Sequence, residues 1–447
     1  MQTKKDHVHA YKTLVGRMSA ALLLGDTNYS ETPARRATMG LVFGLVVGLL
    51  VGIGFWVYGL LNPGGSTAWA KPNVIVVEKE SGTRFVYRDG RLVPVLNHAS
   101  AMLLQGGTAK VEVISRASLK DVPRAASPVG VANAPDPVPS AGSLMTTPWV
   151  SCLPPAQVRD GAPSISFDAG VPVTPFGDDE YMWVASSEGA EYVVVPQGRM
   201  KLANRTMTVA LGLGATTPPV APESWLAALP AGPDVNAAEI PDRNRKVEIG
   251  GVARQVGTVF RQSVGNGTQN FTVLRADGLA VASRTEAALL EAATGKPAVE
   301  LDAASIASAP RSADTSLAGR IPDLMASKAI SAGEKALCLK QESNGSAVRS
   351  TPVLVDREQA RPGVTLKGGT GVLAASVPAP AAAGAKPDRY LITDRGVKYV
   401  LADDETVTAL GFGGVQPRPV TKTVLDQIPS GPALSRAAVG VFEKGRG

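Results

Sequence analysis

The sequence predicts an α+β fold, mainly β. A single N-terminal transmembrane helix leads into an elongated exported region, with a central β-rich domain and four small β-hairpin/helix repeats in quasi-two-fold arrangement. Three observations carry this. Residues 37–61 read ATMGLVFGLVVGLLVGIGFWVYGLL without a charge. A pattern of aromatic-led strand, glycine turn, second strand and short helix occurs four times downstream. The only two cysteines, Cys152 and Cys338, flank the second and third copies.

The apolar run spans roughly 35–40 Å as a helix, enough for a hydrocarbon core. A lone span must be helical, because lipid offers no partners to backbone polar groups. Trp56 and Tyr58 mark its outer interface. The alternative, a cleaved signal peptide, is disfavoured: the run is too long, begins too late and lacks a clean cleavage site. Lys4, Lys5, Lys12, Arg17, Arg35 and Arg36 precede the span, and Lys71 is the first basic residue after it. The bias places the N-terminus in the cytoplasm and exports the remainder. Gly40, Gly44, Gly48 and Gly52 share one helix face, a flat stripe suited to helix–helix packing.

Residues 1–36 form a cytoplasmic segment. Tyr11, Leu14, Met18, Ala21 and Leu22 recur at helical spacing, predicting an amphipathic helix that ends at Gly25 and lies on the membrane or on a partner. Residues 62–73 are a linker. The repeats cover 74–130, 191–236, 270–325 and 388–436, with turns at Gly90, Gly198, Gly278 and Gly396. Their uneven spacing makes them separate modules rather than a solenoid. Residues 144–190, 245–268 and 331–366 read as three pieces of the central domain, and 376–387 as a second linker. An even cysteine count in an oxidising compartment points to one disulfide; two free buried thiols are the alternative.

Composition narrows the function classes. A net charge of +6 without a dense basic block does not point to nucleic acid. Of three histidines, only His98 is exported, so a histidine triad or metal site lacks a second member. It reads as a polar surface residue. There is no G-x-x-x-x-G-K-[ST] phosphate loop and no G-x-S-x-G elbow. The acidic clusters Asp178-Asp179-Glu180 and Asp403-Asp404-Glu405 read as solvated loops without calcium-loop spacing. No catalytic residue, metal ligand or cofactor is assigned.

The order of parts is specific enough to mark a family. The helix from Tyr11 to Leu24 and the single span precede VIVVEKESGTRFVY at 74–87. Asp89-Gly90-Arg91-Leu92-x-Pro94-Val95-Leu96-Asn97-x-Ala99-Ser100 follows, and Ile428-Pro429-Ser-Gly-Pro432-Ala-Leu434 closes the fourth repeat. The chain resembles EccB, the single-span core component of the type VII (ESX) secretion system, over essentially its whole length. The resemblance implies an inner-membrane protein with a periplasmic C-terminal domain held by one disulfide. It implies assembly with EccC, EccD and EccE components and other EccB copies, and a mycosin protease as neighbour. The repeats resemble wall-binding modules, which implies possible contact with cell-wall polymer. Some members are described as ATPases; without a phosphate loop, that activity is not carried over. A structural scaffold for export is the expected function, with a hydrolase of ATP or a cell-wall-binding module as the alternative.

Overall fold

The computed structural model describes residues 4–25, 34–61, 67–146, 148–154, 164–168, 170–345, 347–378 and 386–440. Residues 62–66 of the first linker, 379–385 of the second and 155–163 of the first central piece lie outside them. The chain is 28% helix and 32% strand. It divides into two units. The first comprises Met1–Lys71, Glu78–Ser81 and Val113–Val122; the second comprises Pro72–Val77, Gly82–Glu112 and Pro123–Gly447.

The first unit holds two long helices, Lys4–Leu24 and Ala34–Leu61. The former ends where Gly25 turns left-handed at φ 70° and its N–H reaches the Ala21 carbonyl at 3.1 Å. Tyr11, Leu14, Met18 and Leu22 are exposed along it. The second helix has 28 residues, about 42 Å of rise. Its Ala37–Gly59 portion is long and apolar enough to cross a membrane.

In the second unit the repeats share one topology. Each has a four-stranded path with the first strand between the second and the fourth, and the second repeat's sheet gains a fifth short strand, Lys328–Ala329. In the second repeat the four are Glu180–Ser186, Glu191–Val195, Gly198–Lys201 and Val220–Ala221. A helix follows the third strand in every copy: His98–Gln105, Arg205–Ala210, Arg284–Thr294 and Asp404–Ala409. Asn97, Asn204, Ser283 and Asp403 cap them, each side chain accepting the N–H three residues on. Beyond the fourth strand a proline carbonyl, of Pro123, Pro230, Pro310 or Pro429, accepts the N–H of Leu92, Arg199, Leu279 or Lys398. These bonds tie each tail to its third strand, which would otherwise be an open edge.

The helices pair the repeats. Leu103 of the first shares a core with Val407 and Leu410 of the fourth. Met207 and Leu211 of the second pack with Leu289 of the third. Between these pairs lies a six-stranded sheet in the order Gly363–Thr365, Ser164–Ser166, Trp149–Cys152, Lys335–Asn344, Ala347–Asp356, Thr174–Pro175. Leu337 and Leu339 pack on the second repeat through Trp225 and Leu226, and Trp149, Ile165 and Phe167 on the fourth through Val424, Leu425 and Ile428.

Three boundaries differ from expectation. Residues 245–268 do not join the central sheet: Lys246–Ile249 and Val252–Gln255 pair with each other, and Val259–Ser263 pairs with Gln269–Arg275 in the third repeat. Glu180–Ser186, with Trp183 and Val184, leads the second repeat rather than ending the first central piece. Gly371–Val377 leads the fourth, so the expected linker from 376 begins inside a strand. Val259–Ser263, Glu180–Ser186 and Gly371–Val377 share one cause. A leading strand that pairs alongside its hairpin reads as any other apolar run, and only its pairing assigns it.

The turn glycines serve two purposes. Asp89 and Gly90 both have positive φ, 50° and 76°, as a two-residue hairpin loop demands, and Gly396 has φ 69°. Gly198 and Gly278 instead begin strands, and a Cβ on either would run into the carbonyl oxygen of Pro230 or Pro310. Gly278→Ala should therefore cost about 1–3 kcal/mol, read as a lowered denaturation midpoint. Arg88→Ala, in the exposed part of a hairpin, should change it by less than about 0.5 kcal/mol.

Candidate functional site

The centre of the second unit is where two distant segments meet. Cys338 and Cys152 stand directly opposite each other in antiparallel register and are joined by a disulfide across 186 residues. Cys152 is 1% exposed and Cys338 0%. The bridge sits among Val150, Val353 and Val355. The Trp149 indole N–H bonds to Gln341 Oε1 at 2.5 Å, and Gln341 Nε2 to Ser350 Oγ at 3.3 Å, a polar rung across three strands. From the second repeat, Trp225 Nε1 donates to the Ser151 carbonyl at 3.2 Å. The loop that the bridge closes holds the second and third repeats and two further strands of this sheet, Ser164–Ser166 and Thr174–Pro175.

Two buried polar groups fix the modules. Glu286, fully buried at the start of Arg284–Thr294, accepts from Arg320 at 2.7 Å and from the Ala238 N–H at 3.0 Å. Arg320 also donates to Asn236 Oδ1 at 2.7 Å, which holds the segment between the second and third repeats against the third. Lys398 is buried in the fourth repeat and donates to the carbonyls of Leu425 and Ile428. Burial lowers its pKa, against the raising influence of Asp426. Leu92 and Leu279 occupy the same place in the first and third repeats. Neither group carries a sequence signal beyond the Ser-x-x-Glu capping pattern at Ser283 and Glu286.

The other expected residues fall as follows. Gly40, Gly44, Gly48 and Gly52 line one face of Ala34–Leu61, and a Cβ at each would meet nothing within 4 Å. Asp403 is a helix cap rather than a loop acid. Glu180 lies in a strand, accepting the Gly177 N–H at 3.0 Å. Among the described residues, no group of three His, Cys, Asp or Glu side chains is placed to hold a metal.

His98 is half-buried, not a simple surface residue. Its Nδ1 accepts the Val138 N–H at 3.4 Å, and Arg84 is ion-paired with Asp136 at 2.9 Å nearby. Burial lowers its pKa, Arg84 adds to this, and Asp136 opposes it.

These features define a membrane-anchored scaffold of repeated β modules closed by an internal bridge. The family described as "Type VII secretion system ESX-1, transport TM domain B" matches residues 1–445, and the chain belongs to this EccB family. It is 24% identical over 470 residues to "ESX-3 secretion system ATPase EccB3" of Mycolicibacterium smegmatis, covering 97% of this chain and 89% of the relative. It is 26% identical over 468 residues to "ESX-1 secretion system ATPase EccB1" of the same species, covering 98% and 94%. A solved structure, "Structure of EccB3 dimer from the ESX-3 core complex", superimposes with a TM-score of 0.59 at 25% identity, over 82% of this chain and 99% of that one. The fold is also shared with a chain of "Structure of an intact ESX-5 inner membrane complex, Composite C3 model", TM-score 0.59 and 21% identity, covering 99% and 95%.

Two outcomes follow from the buried groups. Arg320→Ala leaves a carboxylate buried and unpaired and should destabilise the chain by about 3–5 kcal/mol, whereas Arg436→Ala, which breaks the exposed pair with Glu405, should cost under about 1 kcal/mol. Both are read by chemical denaturation. The unfolded chain binds a proton at His98 more readily than the folded one, so His98 lowers stability as pH falls below the ordinary histidine value of 6.5 and contributes nothing above it. His98→Asn should flatten the denaturation midpoint across that window.

Proposed function

We propose that this chain is the structural core component of a type VII secretion inner-membrane complex. It anchors the assembly through Ala37–Gly59 and provides a periplasmic scaffold for protein export. The observation that carries this is the family match along residues 1–445, on a chain whose single apolar helix precedes a disulfide-closed body of repeats. The basic residues ahead of the span support a cytoplasmic N-terminus.

The partners of this reading are the other core components of the EccC, EccD and EccE types and further EccB copies, consistent with the assemblies named for the structural neighbours. A mycosin protease and cell-wall polymer are the finer part of the proposal. The stripe Gly40, Gly44, Gly48 and Gly52 is the face along which a second helix approaches. The four repeats act as separate interaction modules, and Cys152–Cys338 holds them in one register. ATP hydrolysis is a second reading that rests on the relatives' names; turnover proportional to the amount of purified chain would establish it.

Solubilisation in mild detergent should bring the other core components down with this chain, and recovery of the chain by itself would overturn the scaffold reading. Protease added to intact spheroplasts should cut beyond residue 61; a protected C-terminal region would reverse the orientation. Gly44→Leu with Gly48→Leu should lower recovery of the core partners about threefold or more if the stripe is a packing face, without changing the melting of the disulfide-closed body.

A further inference from the structure

The leading strand of the second repeat, Glu180–Ser186, has an interrupted edge. One side is paired with Glu191–Val195. On the other, two short parallel segments share the edge: Lys328–Ala329 beside Glu180 and Tyr181, and Val220–Ala221 beside Ala185 and Ser186. The Ile330 N–H reaches the Tyr181 carbonyl at 2.8 Å, and the Ala185 N–H reaches the Pro219 carbonyl at 3.0 Å. Alternate residues of a strand turn their N–H and C=O to the same edge. Trp183, midway between Tyr181 and Ala185, therefore presents both groups to this side, in the gap between the two segments.

A cleft of about 450 Å³ opens at that gap. This is within the roughly 300–1,000 Å³ range of ligand sites. Its walls include Met182, Trp183, Leu213, Ile330 and Leu337. Trp183 is 6% exposed, and its indole N–H has no partner among the described residues. Among the described residues, the charged ones lining the cleft are Lys335 and Arg357, both cationic. Lys335 Nζ bonds to Thr174 Oγ1 at 2.9 Å and stands 3.9 Å from Asp356. Arg357 spends one nitrogen on the Gly333 carbonyl at 2.7 Å, leaving the rest of its fork.

We propose that this cleft binds the free C-terminal end of an extended apolar peptide. One N–H and one C=O on a single strand residue match one peptide unit laid along the edge, which a fatty acid cannot supply. The apolar walls take its last side chain. Arg357, with no acidic wall residue among the described residues, takes the terminal carboxylate. The occupant thus completes a sheet edge that the chain itself leaves unfinished.

The test uses the full-length chain in lipid nanodiscs, titrated calorimetrically with acetyl-Ala-Val-Leu. The free acid should bind saturably, and its C-terminal amide about tenfold or more weaker, since the charge-assisted bond to Arg357 is lost. Backbone N-methylation of the leucine should weaken it comparably. Arg357→Gln should remove the difference between acid and amide while leaving the thermal melt unchanged. Ala332→Trp should fill the cleft and abolish binding; should it misfold, Arg357→Gln carries the comparison. No saturable binding of the free acid at millimolar concentration would overturn the proposal, as would equal binding of acid and amide, or hexanoate binding as tightly as the peptide.

Discussion

The pairing of Trp149–Cys152 with Lys335–Asn344 is the contact on which the rest of the second unit depends. These strands are joined by backbone hydrogen bonds, by the Trp149–Gln341 rung and by a covalent bridge, although their cysteines are 186 residues apart. Bringing such distant segments together carries a loop-closure cost that grows slowly with length. The bridge removes most of that cost from the unfolded chain, nominally about 5 kcal/mol and less in practice. With the pairing made, each face of the sheet offers an apolar surface. By register Trp149, Ile165, Leu337 and Leu339 share one face, on which the second and fourth repeats both pack, while the bridge and its valines occupy the other. Neither repeat could bury its helix after the fourth strand by itself.

The remaining repeats are placed by similar physics at smaller scale. A unit of four short strands and two small helices encloses too little apolar surface to be robust alone. Each resolves this by sharing its main helix face with a neighbour, the first with the fourth and the second with the third. Polar groups set the register where apolar contacts would tolerate sliding. Glu286 and Arg320 bind the third repeat to the segment that enters it, and Lys398 closes the fourth repeat on its own tail. A buried carboxylate must be met by a specific donor, so the arrangement is selective as well as cohesive.

How much of this could be read from the chain beforehand depended on how local each signal was. The transmembrane helix, the Asp89-Gly90 turn and the short helices were legible, because composition and turn chemistry act within a few residues. The paired cysteines were legible as a count but not as a register. What escaped was long-range. Glu180–Ser186 and Gly371–Val377 are apolar runs with no mark to say which hairpin they underlie. Residues 245–268 look like sheet and are sheet, but Gly250 and Gly251 fold the first part back on itself before it can reach the centre. The caps at Asn97, Asn204, Ser283 and Asp403 were visible in principle, as a polar residue before each helix. Their shared position becomes evident only when the four third strands are aligned. Lys398 was silent and Glu286 showed only as part of a capping pattern, since a buried charge is indistinguishable in sequence from a solvated one.

The bridge also has a mechanical meaning. A pull applied between the membrane anchor and the C-terminal repeat would travel through the first repeat to Cys152, cross the sulfur–sulfur bond, and leave by Cys338 into the fourth. The second and third repeats, lying on the bypassed loop, are off that covalent path. They can hold a ligand or a neighbour with their shape undisturbed while the remainder of the chain bears load.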